Sequence, residues 1–304
     1  IIPTIDVLIC TCATAGDSLV KASSFSMVLV DEAAQSVEPT TLIPVTRGAE
    51  QLVLVGDDMQ LSPTVKDRAA QRAGLQISMF HRLRMAGELV VELDTQYRMH
   101  PDISRFVRDE FYAHALCDGV VASERVHPQV QFPFAVPGKP ALFVHVPRAA
   151  PQGGEVAGVH GSSLANAAEA TAVVDALSTL VAAGAKDTDV AVISMYEAQR
   201  RLVRERAAAH SAKLGRVFVA TVDSVQGREY DFVIVTLVRS NAKGEVGFIS
   251  DRGRANVALS RARYGIIIVG DGETIGTSPL WASLLRSYAE QRLITMDHDE
   301  KCEY

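Results

Sequence analysis

Nothing in this sequence is built to cross a bilayer as a helix. Its longest apolar runs, such as FVIVTLV and GIIIVG, have seven residues or fewer, against roughly 20 for a membrane span. The first residues, IIPTIDVLICTC, lack a basic start, a small-residue cleavage site and an initiator Met. The expectation is therefore no signal peptide, and a piece of a longer chain. Cysteine is scarce, at Cys10, Cys12, Cys117 and Cys302 only. No CxxC meets a second CxxC or a spaced histidine pair, which excludes the usual structural zinc sites. Few cysteines at irregular spacing fit a reducing compartment, cytosol or nucleus. Excess basic charge is absent too. A net charge of −6 excludes a generic polyanion binder, so any nucleic-acid site must come from a local surface. No G-x-x-x-x-G-K-[ST] phosphate loop occurs, and the only Gly-Lys pair, Gly138-Lys139, runs into Pro140.

What is present is globular: 48% hydrophobic and 22% charged residues over 304 positions, enough for two domains that each bury a core. Candidate strands are IDVLICT, FSMVLVD, AEQLVLVGD, ALFVHV, DVAVISM, VFVATV, DFVIVTLV and GIIIVGD. They are too continuously apolar for one-sided strands, which predicts parallel strands covered on both faces. In IDVLICT, alternation places Cys10 and Cys12 on one face. Helices lie between the strands. The clearest runs from about Leu164 to Ala183, with Val173, Val174, Leu177, Leu180 and Val181 on one face. Asn166 with Glu169, or a preceding serine, caps its start and Gly184 its end. The stretch from Pro128 to Gly161 reads as irregular, with ALFVHV its one strand. Blocks of βα units on either side of Asp94 predict an α/β protein of two similar lobes, 1–94 and 95–304.

Five polar clusters sit at the ends of these strands. In MVLVDEAAQ, Asp31 and Glu32 can face the crevice beyond a parallel sheet. There one carboxylate can hold Mg²⁺ and the next orient a water. Both can equally cap a helix starting near Ala33. In QLVLVGDDMQLSP, Gln60 offers an amide to a phosphate oxygen or a water. In DTQYRMHPDIS, Arg98 can stabilise phosphoryl charge and Tyr97 can stack on a base, or both are ordinary surface residues. FISDRGRANVALSRARYG reads as a helix from Ala255 to Arg263, which would put Arg254 and Arg261 two turns apart on one side. TVDSVQGREYD crowds Asp223, Gln226, Glu229 and Asp231 before a buried strand.

In order, VDEAAQ, GDDMQLSP, TQYRMHP, VISMYEAQ, TVDSVQGREYD and RANVALSRAR closely resemble motifs II, III, IV, IVa, V and VI of superfamily 1 helicases. The branch resembled is that of the up-frameshift helicase of nonsense-mediated mRNA decay. The resemblance covers nearly the whole chain. It implies two RecA-like (P-loop NTPase) lobes with parallel sheets, the first incomplete, that close on ATP while nucleic acid lies across their top. It implies that Asp31 holds Mg²⁺, Glu32 polarises the attacking water and Gln60 senses the γ-phosphate. Arg98 and Arg261 match arginines that reach the phosphates, and Tyr97 an adenine-stacking tyrosine. Glu229 matches a carboxylate near ribose and phosphates, with Gln226 and Gly227 at a hinge and Arg254 on the nucleotide side. Thr11, Thr14, Tyr196 and Thr221 resemble positions that line the strand-binding surface, where hydroxyls and backbone amides grip phosphates. His100 is read as structural.

Small departures from the pattern are Ser62, Ala255 and Ser260. The large one is the missing phosphate loop. Because the carboxylates and arginines are kept, the expectation is that the loop lies upstream in a longer protein. Two readings follow: the motor portion of an ATP-dependent helicase or translocase on single-stranded RNA or DNA, or a non-catalytic remnant that binds nucleic acid or a protein. Likeness of VQGREYDFVIV and RARYGIIIVG to the decay helicase favours RNA, with decay or translation factors as partners through regions outside this chain. On the first reading, the 304-residue chain alone shows no ATP turnover stimulated by single-stranded RNA or DNA. Robust turnover by the isolated chain would sink the requirement for the missing loop.

Overall fold

A computed structural model describes residues 5–21, 24–158 and 163–296. Cys302 lies outside them. The backbone divides into two compact units, 1–92 and 93–304.

In the first unit the elements are α1 (Ser18–Lys21), β1 (Met27–Val30), α2 (Glu38–Val45), β2 (Gln51–Leu54), α3 (Arg68–Arg72) and α4 (Met79–Met85). β1 and β2 pair in parallel from Met27–Gln51 to Val30–Leu54. Two expectations fail here. IDVLICT forms no strand, so alternation does not align Cys10 with Cys12; no described strand offers it a ladder. Nor are β1 and β2 covered on both faces: Met27, Leu29 and Val53 are exposed. Cover on a parallel strand comes from helices on each side, and among the described residues α2 is the helix that packs on β1.

The second unit holds β3 (Thr95–Gln96), α5 (Pro101–Phe111), β4 (Cys117–Asp118), β5 (Ala141–His145), β6 (Glu155–Ala157), β7 (Leu164–Asn166), α6 (Ala167–Ala182), β8 (Val190–Ser194), α7 (Glu197–His210), β9 (Phe218–Thr221), β10 (Tyr230–Thr236), α8 (Arg252–Leu259), β11 (Ala262–Gly270), α9 (Gly272–Ile275), α10 (Pro279–Glu290) and β12 (Ile294–Met296). Six strands make one sheet in the order β12-β5-β11-β10-β8-β9, every pairing parallel. Alternation explains its composition. Val190, Val192, Phe232, Ile234, Ile267 and Val269 join a core with Val173, Leu177 and Leu180 of α6 and Val203 of α7. Their neighbours Ala191, Ile193, Val233, Val235, Ile266 and Ile268 point to the other face and are equally buried. Valine and isoleucine in unbroken runs are what a strand buried on both faces requires.

Three boundaries differ from expectation. Residues 164–166 pair antiparallel with β6, so α6 starts at Ala167. The irregular stretch before it therefore contains a second strand, β6. Asn166 does cap α6, its Oδ1 accepting from Glu169 N at 3.1 Å, but the Glu169 side chain turns inward instead of back to the cap. Last, α8 ends at Leu259 and Ala262 opens β11. Arg261 and Arg263 are therefore off the helix, and no helical repeat aligns Arg261 with Arg254.

Candidate functional site

The parallel sheet of the second unit has two rims. Loops leave its strands at their carboxyl ends and enter at their amino ends, and the predicted residues divide between them. The connector from Val222 to Glu229 must run the full strand length, because β9 and β10 are parallel. It begins beside Thr221 at one rim and ends beside Tyr230 at the other. Gly227, at φ 73°, turns within it at an angle that only glycine adopts without cost.

At the amino-end rim, Arg98 donates from Nε to Glu229 Oε2 at 2.8 Å and from Nη1 to Ser260 O at 3.2 Å. Its loop is set by Gln96, whose Oε1 accepts from the amides of Arg98 and Met99 and whose Nε2 donates to Asp118 Oδ1 at 2.6 Å. His100, buried, caps α5 by accepting from Asp102 N at 3.1 Å. Burial pushes its pKa down, which keeps the ring neutral for that cap. The Arg98 guanidinium holds the Glu229 carboxyl below the usual carboxylate range, with Arg263 and Arg125 adding to the effect. Arg261 is buried at 2% exposure. Its Nε donates to Val257 O at 3.0 Å and its Nη2 to Ser260 Oγ at 2.7 Å, folding it against the end of α8. Tyr97 is 65% exposed and its ring lies over Gly119, where an added Cβ would come within 2.3 Å of it. Gln226 is half-buried in the same connector.

At the carboxyl-end rim, Tyr196 follows β8 and its ring tilts against Phe248 at 5.8 Å. Thr221 ends β9, its hydroxyl 3.3 Å from that of Ser224. Arg254 belongs here. It pairs with Asp223 at 3.1 Å and Asp251 at 3.0 Å and lies 4.0 Å over the Phe248 ring. The structure thus gathers Arg98, Glu229 and Arg261 but gives Arg254 other partners. Sequence reasoning missed Phe248 and the Arg239–Glu155 ion pair at 2.9 Å, because no spacing links them.

It also missed a group at His127, Asp189 and Asp231, whose ligand-type atoms lie within 4.8 Å of one another. That group is not arranged for a metal. His127 Nδ1 accepts from the amides of Gln129 and Val130. In the neutral ring the proton therefore sits on Nε2, which faces Asp231 Oδ2 at 3.4 Å as a donor.

In the first unit, Asp31 and Glu32 follow β1. Asp31 is exposed and its Oδ1 accepts from Glu32 N at 2.9 Å. Glu32 is left-handed at φ 52°, an uncommon conformation for a non-glycine residue, and its Oε2 accepts from Gln35 at 2.9 Å. Only a three-residue 3₁₀ turn follows, with no side-chain cap, so the helix-capping alternative is not realised. Gly56 after β2 sits so close that an added Cβ would lie 2.9 Å from Ala34 N, packing the two strand-end turns together. Gln60 donates to Asp57 Oδ2 at 2.7 Å, and Asp58 is held by His81 and Arg84 of α4. Thr11 and Thr14 are exposed, their hydroxyls 2.8 Å apart.

A hard divalent cation takes oxygen donors, and an exposed strand-end carboxylate with a second beside it fits one. Asp31 would hold it. Any stability from the Arg98–Glu229 pair is present above the unfolded carboxylate range and lost as pH falls through the lowered folded value. We expect the Glu229 carboxyl, followed by its ¹³C shift, to titrate below the ordinary glutamate range and to move up in Arg98→Gln. An unchanged midpoint would remove Arg98 as the cause.

Two families described as AAA domain match the chain, over residues 75–273 and 1–68. The Drosophila melanogaster "Regulator of nonsense transcripts 1 homolog" is 39% identical over 293 residues, 95% of this chain and 24% of that protein. The Saccharomyces cerevisiae "ATP-dependent helicase NAM7" is 36% identical over 304 residues, 98% of this chain and 31% of that protein. The chain thus spans a quarter to a third of the length of these relatives. Among solved structures, an arterivirus nonstructural protein 10 (helicase) in complex with DNA is similar at TM-score 0.42 and 16% identity, over 84% of this chain and 42% of that one.

Proposed function

The chain belongs to the AAA-domain family of superfamily 1 helicases, in the regulator of nonsense transcripts 1 branch, and from that premise we propose that it is the motor segment of an ATP-dependent helicase or translocase. The observation that carries the reading is the carboxylate pair at the end of β1, turned by a left-handed Glu32 and uncommitted to helix capping. In phosphoryl transfer the protein supplies position and charge. Asp31 would hold Mg²⁺, which supplies charge neutralisation on the phosphates when bound. Glu32 accepts a proton from, and orients, the attacking water. Gln60 monitors the terminal phosphate, and Arg98 and Arg261 supply cations. Tyr97 offers an exposed ring to the base, and Glu229, Gln226 and Gly227 lie on the same rim.

Single-stranded nucleic acid is assigned to Tyr196 and Thr221 in the second unit and to Thr11 and Thr14 in the first. The names of the relatives favour RNA as substrate and decay or translation factors as partners, with a cytoplasmic or nuclear location. The test is ATP turnover by the full-length protein with RNA and DNA strands side by side; stimulation by neither strand would overturn the reading. In that protein Glu32→Gln binds ATP with unchanged affinity and turns it over at least about 100-fold more slowly, as loss of a general base does. Unchanged turnover would take Glu32 out of that role.

A further inference from the structure

Glu169 is fully buried, one turn into α6, and nothing in the proposed chemistry uses it. Its Oε2 accepts from Thr236 Oγ1 at 2.7 Å and from Val238 N at 2.8 Å. Oε1 has no hydrogen-bond partner among the described residues. A carboxylate without a cation at such depth is costly, whereas the neutral acid is not. With Oε2 accepting two bonds, the proton of the neutral acid sits on Oε1.

The chain that Glu169 grips is strained. Arg239 N donates to Leu237 O at 2.8 Å across Val238, whose φ is 72°. This is the rare γ-turn of positive φ, at a β-branched residue that avoids that region. Both peptide groups of Val238 are tied down, N–H by Glu169 and carbonyl by Asn166 Nδ2 at 3.4 Å. The same network continues to α7: Gln199 donates to Thr236 Oγ1 at 3.1 Å and accepts from Asn166 N at 2.8 Å. Immediately beyond the turn, Arg239 pairs with Glu155, and the Arg239 guanidinium and the Tyr196 hydroxyl both lie against Gly247, within 4 Å of where its Cβ would be. Glu169 therefore sits beneath the carboxyl-end rim, between the strand end that carries the turn and the helix that follows Tyr196.

We propose that Glu169 is the positioning residue that locks the Val238 turn and, through it, sets Arg239 and Tyr196 for a single strand; the last step rests on the proposed function. Burial pushes its carboxyl up to about 8, with the like charge of Asp271 at the end of β11 adding to the effect. The hydrogen bonds it accepts from Thr236 and from the Val238 amide pull the other way without overcoming burial. Thr236, Gln199 and Asn166 are neutral, the Arg239–Glu155 pair is internally compensated, and His145 of β5 accepts from Gly272 N at 2.9 Å. The sign follows from linkage. A carboxyl raised in the fold binds its proton more tightly folded than unfolded, so its contribution is intact below the unfolded pKa and lost as pH rises through the folded one. As pH rises toward that folded value, the open turn, whose solvated carboxyl ionises first, gains on the closed one.

The experiment uses full-length protein from pH 6 to pH 9.5, reading amide exchange protection of residues 236–241 and affinity for an oligouridine strand. In the unmodified protein, protection falls by up to about tenfold per pH unit as pH rises toward 8 and levels off above it, and affinity falls with it. Glu169→Gln keeps both bonds to its carbonyl oxygen and carries no charge, so protection and affinity stay within about twofold of their pH 6 values across the range. Glu169→Ala loses protection at every pH. Protection flat with pH in the unmodified protein, or lost in the glutamine variant, overturns the proposal. So does a turn that opens while affinity stays constant. If no strand binds at any pH but protection behaves as described, the nucleic-acid assignment fails and the lock on the turn stands.

Discussion

Six strands of the second unit run parallel, and the central ones are buried on both faces. Side chains that meet a ligand therefore come from strand ends and the loops beside them. That constraint sorts the chemistry. The amino ends of β10 and β11 carry Glu229 and Arg261, with Arg98 of the β3–α5 loop bonded to Glu229, while the carboxyl ends of β8, β9 and β10 carry Tyr196, Thr221 and the Val238 turn. One segment, from Val222 to Glu229, touches both rims because it has to return the chain from one to the other. Its polar residues are crowded before an apolar strand for that reason.

The two rims are stabilised differently. Arg98 and Glu229 pair where their side chains are 31% and 47% exposed. Such a pair contributes only about 0.2–1 kcal/mol, so another anion can take the guanidinium at little cost. At the opposite rim the supports are buried: Glu169, Asn166, Gln199 and Thr236 are all at 0% exposure. Breaking one partner there leaves a desolvated polar group, at about 1–3 kcal/mol. The first arrangement suits groups that must change partners, the second a surface held in one shape.

Much of this was legible in the residue pattern. DVAVISM, DFVIVTLV and GIIIVGD are strands because continuous β-branched runs fit a sheet covered on both faces. IDVLICT has the same composition and forms none, since a strand also needs a neighbour, which composition does not encode. The helix at α6 was readable from its periodicity but not its start, where residues 164–166 are claimed by β6. The meeting of Arg98 with Glu229, 131 residues apart, has no local signal and was reached only through resemblance of ordered motifs. Glu169 was visible as a capping partner, yet its side chain satisfies a strained turn that lies 69 residues away.

The central claim is that opposite rims of one sheet serve different ligands. Its most direct test is photo-cross-linking of a 4-thiouridine-containing strand to the full-length protein, with the attachment sites mapped by mass spectrometry. The account predicts cross-links in the second unit at Tyr196, around Thr221 and in the turn from Leu237 to Asn241. Cross-links confined instead to Tyr97 and the segment from Gln226 to Glu229 would contradict it.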